Sequence, residues 1–200
     1  MKDFKQKILN HLEEYIGTKP IMIKTMEKDD NKLPCDIAVF RANNGRPYHI
    51  LTTIGLSNYR MKGKSKRVEL ILYLDKNWNL FSSSDEFVWV YKMLQELSHA
   101  FYDSKKDFEY GQTFLTRGSN TFSPYTQMNS AILYYPLGLD NDSWSLKLGL
   151  GKKIDFFLTT TATYREYALI RKMGGMSFVK NYLLEEGDIE GLVVFNKKED

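Results

Sequence analysis

Cysteine and proline are scarce in this chain, with one cysteine, Cys35, and five prolines in 200 residues. A lone thiol closes no internal disulfide and supplies no multi-thiolate metal site, as expected of a reducing compartment. Cys35 follows Pro34 at the approach to a strand, where a half-buried thiol is expected rather than a nucleophile. Long apolar runs are absent too: none approaches the roughly 18 residues that cross a bilayer, and Met1-Lys2-Asp3-Phe4 lacks the apolar centre of a secretory signal. These absences lead to the expectation of a cytoplasmic protein with no membrane partner. Neither sign of charge dominates, since 28 Lys and Arg against 25 Asp and Glu leave +3. Nucleic acid is therefore not an expected partner. The basic residues that do cluster, Arg60, Lys62, Lys64, Lys66 and Arg67, form a candidate phosphate-gripping patch, although the run reads more simply as a solvated hairpin loop.

What the chain has is large apolar side chains. Hydrophobic residues make up 42% of it, with 13 Tyr and 12 Phe, enough for one globular domain spanning 1–200. Phe4, Ile8, Leu12 and Ile16 recur every fourth residue with Leu9 beside them, predicting a helix over Asp3–Ile16. Asp3 and Gln6 are its expected capping pair and Gly17 its stop. From Asp36 the period changes to two, and Asn43-Asn44-Gly45 reverses the chain into Tyr48, Ile50, Thr52 and Ile54, a β-hairpin. Val68–Leu74 alternates as a third strand. Ser83 and Glu86 form a capping box for a helix carrying Val90, Met93, Leu94, Leu97 and Phe101 on one face, to about Lys105. Phe108–Gln127 reads as loop with room for one short strand. Further strands are expected at Ser130–Tyr135, Leu146–Leu150 and Lys153–Thr160. Thr163 and Glu166 box a helix that Gly174-Gly175 closes, Met176–Glu186 continues as helix, and Asp188–Phe195 is expected as a last short strand. The fold class is α+β, a mixed and mostly antiparallel sheet with helices packed on it.

No catalytic constellation emerges from the residues. Glu96 and His99 make one Glu-x-x-His on a helix, but carboxylate-bridged metal sites of that pattern need a second copy and further Glu. His49 precedes a strand holding Thr53 and leading to Ser57, without the Gly-x-Ser-x-Gly elbow of a hydrolase. A satisfied histidine on a sheet rim is the better reading, and the polar residues of Tyr48–Ser57 are expected to mark a sheet edge. Gly149-Leu150-Gly151-Lys152-Lys153 echoes a phosphate loop but lacks its first glycine and precedes a strand, so no amide cradle follows. The expectation is no enzyme, no metal and no cofactor.

The order of motifs resembles the suppressor-of-fused family. Tyr48-His49-Ile50 leading to Ile54-Gly55-Leu56-Ser57 is similar to its His-Tyr strand ending in Gly-Leu-Ser, and Glu69-Leu70 falls in its Glu-Leu strand. Trp78 stands before the main helix, Leu97-Ser98-His99-Ala100-Phe101-Tyr102 resembles that helix's end, and Phe108-Glu109-Tyr110-Gly111-Gln112 resembles Phe-x-x-Gly-Asp. Thr163-Tyr164-Arg165-Glu166 through Gly174 and Leu183-Leu184 resembles the closing segment. The likeness runs over 36–186, about three quarters of the chain, and the chain ends where the animal members' C-terminal domain would start. That implies a single-domain, bacterial-type member.

For animal members, the resemblance implies capture of an extended peptide from a transcription factor as an added strand. The corresponding partner-binding positions here are Tyr91, Met93, Ala100, Phe108 and Gln112. Ala100 replaces a tyrosine and Gln112 an aspartate, so the same peptide is not the expected partner. For bacterial members it implies immunity proteins that neutralise a polymorphic toxin, and a toxin domain is the expected protein partner. A nucleic-acid-associated or regulatory peptide-binding module is the alternative, and a hydrolase comes last.

Overall fold

The computed structural model describes residues 4–26, 35–59, 67–103, 108–116, 121–184 and 188–195. Strand periodicity builds one sheet from β1 (Met22–Thr25), β2 (Asp36–Phe40), β3 (Tyr48–Ile54), β4 (Arg67–Asp75), β5 (Thr113–Leu115), β6 (Met128–Tyr134), β7 (Ser145–Gly149) and β8 (Lys152–Thr163). Their order is β1-β2-β3-β4-β8-β6-β5, with β7 pairing β8. All pairs are antiparallel except β4 with β8, which run parallel, Arg67 opposite Ile154 through Leu72 opposite Thr159. The expected mixed, mostly antiparallel sheet is what forms.

Alternation along each strand feeds two cores, one per face. Val68, Leu70, Leu72 and Leu74 of β4 face Trp89, Val90, Met93, Leu94, Leu97 and Phe101 of α2 (Asp85–Asp103). Ile71 and Tyr73 lie in the other core with Ile8, Leu9, Leu12 and Ile16 of α1 (Lys5–Ile16), and with Ile170 of α3 (Tyr164–Met173) and Phe178 of α4 (Gly175–Phe178). Burying both faces explains why all seven residues of β3 are buried, where a half-solvated strand would alternate. It also places β3 inside the sheet. Thr52 and Thr53 are wholly buried, so the polar residues of Tyr48–Ser57 do not mark an edge as the sequence suggested.

Other differences have local causes. The first turn of α1 has Phe4 as its cap residue, with no side-chain cap; Gln6 donates instead to Asn10 Oδ1, and Asp3 lies outside the described residues. At α2, Ser84 rather than Ser83 takes the cap: its carbonyl accepts from Phe87 and Val88, and its hydroxyl from Glu86 N–H. The Thr163–Glu166 box forms as predicted, with both reciprocal bonds. The segment after it is α4 and a single π turn, Val179–Leu183, and Glu186 lies outside the described residues. The expected last strand is a 3-10 turn, Glu190–Leu192, followed by one parallel bridge from Val194 to Leu74. Leu192 and Val194 are buried there, so side-chain burial holds this segment where a ladder was expected. Edge strand β1 carried no sequence signal, because Met22-Ile23-Lys24-Thr25 sits between a proline and a charged run.

Candidate functional site

β5 is an edge strand, and the ring cluster beneath it explains its position. Phe101 at the end of α2 lies 3.7 Å centroid to centroid from Phe108 and 5.1 Å from Phe114. These contacts clamp the helix end, the lead-in loop and β5 together. Gly111 N–H donates to Leu133 C=O at 2.7 Å, Leu133 N–H to Gln112 C=O at 2.9 Å, and Thr116 N–H to Asn129 C=O at 2.9 Å. Residues 112, 114 and 116 therefore turn their backbone groups toward β6. By the two-residue alternation of an antiparallel ladder, Thr113 and Leu115 turn theirs outward, away from the sheet. Such a row of outward N–H and C=O groups is a template for another strand.

Exposed apolar side chains flank the strands next to β5. Leu115, 44% exposed, pairs with Ser130; Tyr125 precedes Met128, and Tyr164 follows Thr163, the partner of Met128. Tyr125 and Tyr164 are 45% and 65% exposed. In β6 a bulge falls at Asn129, whose side-chain oxygen is buried without a hydrogen-bond partner among the described residues. Sequence reasoning did not single out Leu115, Tyr125 or Tyr164 as site residues; for Leu115 and Tyr125 the available signal was bulky apolar residues in a polar segment without periodicity, while Tyr164 was read only as the first residue of the helix after the Thr163–Glu166 box.

The predicted partner-binding residues divide into two groups. Phe108 and Gln112 lie at β5, and Ala100 adjoins Phe101 on the exposed side of α2. Gln112 is partly exposed, and its side-chain oxygen accepts from Glu109 N–H at 3.4 Å. Phe108 is a core residue, 2% exposed. Met93 is buried in the α2 core. Tyr91 is at the opposite edge, with Lys24 of β1 4.3 Å above its ring, and burial pushes its hydroxyl up to about 12. Of the basic patch, Arg60, Lys62, Lys64 and Lys66 lie outside the described residues. Arg67 donates to the Ser57 carbonyl and stacks over Phe4.

The histidines and the cysteine are held in structural contacts, apart from the buried His99 Nδ1, which has no hydrogen-bond partner among the described residues. His49 Nδ1 accepts from Ala42 N–H at 2.8 Å while Nε2 lies 3.1 Å from the Lys76 carbonyl, which fixes the neutral tautomer protonated at Nε2. Burial pulls its pKa below the usual imidazole value. His11 Nε2 meets the Ser143 carbonyl at 2.9 Å, and His99 lies 3.2 Å from Asp103. The Cys35 thiol is buried and pushed up to about 12 by desolvation, far from the thiolate a nucleophile needs. No group of three or more His, Cys, Asp or Glu suited to a metal occurs among the described residues.

Glu69 is the one wholly buried acid among the described residues. It sits where β3 and β4 part, after their last pair, Thr52 with Ile71. Oε1 accepts from Gly55 N–H and Ser57 N–H, both at 3.0 Å. Oε2 accepts from the Thr53 hydroxyl at 2.7 Å, and that hydroxyl in turn accepts from Leu70 N–H at 2.8 Å. Gly55, at φ 107°, makes the sharp exit that a residue with a Cβ would resist. The carboxyl thus caps the 3-10 turn Leu56–Asn58 from across the sheet, and its pKa is raised to about 7 by burial against the pull of these donors. This is a framework device with no open face for a substrate.

Comparison with known proteins agrees with this reading of the framework. The profile of the family described as Suppressor of fused protein (SUFU) matches residues 31–192. Among solved structures, the chain superposes on the Sufu–Fu complex with TM-score 0.69 at 14% identity, covering 99% of this chain and 91% of that one. The Drosophila Suppressor of Fused gives 0.71 at 15%, with 99% of this chain against 51% of that one, so the chain spans about half the length of the fly protein. A SUFU homologue from Neisseria gonorrhoeae FA 1090 gives 0.65 at 11%, covering 98% of each. No curated protein matches the chain.

Proposed function

This chain belongs to the suppressor of fused family, and on that premise we propose that it is a non-enzymatic protein-binding domain of the cytoplasm, in its most specific form an immunity protein that neutralises a cognate toxin. The observation that carries the binding reading is the edge position of β5, where the outward backbone groups of Thr113 and Leu115 have no strand partner among the described residues and Leu115 is itself exposed, with exposed Tyr125 and Tyr164 flanking β6 and β8. A partner segment adding to that edge would gain main-chain hydrogen bonds and alternate side-chain contacts. Ala100 and Gln112 form its accessible rim, and Phe108 supports β5 from beneath. The solved Sufu–Fu complex supports protein binding as the activity of this fold family. The engaged ring of His49 and the buried Cys35 thiol, pushed up to about 12, support a role without chemistry.

Inhibition needs only a complementary surface, and the near-neutral charge of the chain favours a target that is not strongly cationic. Co-expression with each protein encoded beside this one is the test. The expected result is one neighbour that arrests growth alone, is harmless with this chain, and co-purifies with it. If no neighbour is toxic, or toxicity persists beside the folded chain, the immunity role is wrong; binding without protection would leave protein capture alone.

A further inference from the structure

The tip of the β7–β8 hairpin combines three locally unfavourable choices. Leu150 is 100% exposed and is the one non-glycine among the described residues at positive φ, 52°, a conformation that disfavours side chains bearing a Cβ. Behind it Lys147 and Lys153 stand directly opposite one another, and Lys152 faces Gly149. Like charges in register across an antiparallel pair repel. Glycine or asparagine at 150 and an acid at 147 would make a better hairpin, and although Asp155 relieves part of the charge at Lys153, nothing in the hairpin compensates the exposed, positive-φ Leu150. Local conflicts of this kind concentrate where function requires them.

The charged surroundings leave the tip basic. Lys147, Lys152 and Lys153 are exposed. Asp155 meets Lys153 at 2.8 Å, but it pairs in register with Ser145 at the hairpin's base, and Asp140 and Asp142 precede that base in the chain. Arg67 pairs with Ile154 at the same end of the sheet, its guanidinium already engaged. This hairpin is remote from β5, which pairs along the far half of β6.

We propose that this tip docks on an anionic lipid surface, with Leu150 entering the boundary between headgroups and acyl chains and Lys147, Lys152 and Lys153 meeting lipid phosphates. An apolar point collared by ammonium groups has the chemistry of an interfacial element, because lysine stems lie along apolar surface while their heads stay among headgroups. The negative potential of such a surface attracts each lysine. A nucleic acid would use the lysines but gain nothing from the leucine. The collar lies on both strands behind the point, so a planar surface met end-on engages all of it together. One leucine and three lysines make a weak, reversible contact, half-saturated at about millimolar lipid. The sequence pointed away from a membrane because no run spans one; a peripheral tip needs no such run.

Co-sedimentation of the full chain with vesicles tests this, using phosphatidylcholine alone and an equal mixture with phosphatidylglycerol. The expected result is sedimentation with the anionic vesicles only, weakening with salt. Leu150→Gly and Lys152→Glu should each lower binding about tenfold or more. Leu150→Gly should melt no lower than the parent, which separates lost docking from lost folding. Absence of binding to anionic vesicles overturns the proposal, as does Leu150→Gly binding like the parent. Retention on heparin that Lys152→Glu weakens, with vesicles unbound, overturns it in favour of a general polyanion surface.

Discussion

The Glu69 carboxyl oxygen Oε1 accepts the N–H groups of both Gly55 and Ser57 at 3.0 Å, so one buried acid closes the turn that ends β3. Replacing it with Ala would strand the half-buried Gly55 amide, the buried Ser57 amide and the Thr53 hydroxyl. Glu69→Ala is expected to lower stability by about 2–4 kcal/mol, with Thr53→Val costing less. A double-mutant cycle by chemical denaturation should show coupling between them, since they share one network; additive effects would contradict it.

Titration of Glu69 gives stability a pH dependence. Its folded pKa, about 7, lies above the roughly 4.3 of an unfolded Glu, so the folded state binds the proton more tightly in that window. The contribution is fully present below about 4.3 and is lost as pH rises through 7. Glu69→Gln keeps an oxygen for the two amides and removes this slope. Denaturation midpoints of parent and variant from pH 4 to 8 check the sign.

His49 acts in the opposite direction. Its pKa is lowered in the folded state by burial, so its contribution is present above about pH 6.5 and is lost as pH falls. His49→Gln should flatten that loss and cost about 1–2 kcal/mol at neutral pH, through the bonds to Ala42 and Lys76. Comparing parent, His49→Gln and Glu69→Gln over one pH series separates two opposed contributions.

Gly111 and Gly175 let the β5 lead-in and α4 approach closely through their backbones. A Cβ at Gly175 would lie 2.2 Å from the Gly111 carbonyl oxygen, and one at Gly111 would meet Met176 N at 2.9 Å. Gly175→Ala is expected to destabilise by more than about 2 kcal/mol and to disturb the β5 edge. Thermal melting checks the first effect and amide exchange at Thr113–Leu115 the second.

Much of this architecture was legible in residue periodicity. α2 and α3, the hairpin at Asn43–Gly45, and β4, β6, β7 and β8 follow from alternation, capping boxes and turn residues. Phe101 and Met93 were readable as core for the same reason. Pairing order was not, because β3 and β4 are buried on both faces and their sequences carry no mark of their neighbours. Glu69 was visible as one charge in Val-Glu-Leu-Ile-Leu-Tyr-Leu and as part of the family-like Glu69-Leu70, but its role was not, because its partners lie 12–16 residues away. The motif Phe108–Gln112 leads into β5, but its residue types could not tell the supporting side chain of Phe108 from the outward backbone of Leu115.

Binding through the β5 edge is tested by the affinity of the protective partner for the parent and for Leu115→Pro, measured by calorimetry on proteins shown to melt alike. Proline removes one outward N–H from β5 while sparing the bonds that residues 112, 114 and 116 make to β6. A protein bound through the β5 edge should lose affinity by about a hundredfold through the lost main-chain bond and the altered strand. Equal affinity for the two would contradict that interface.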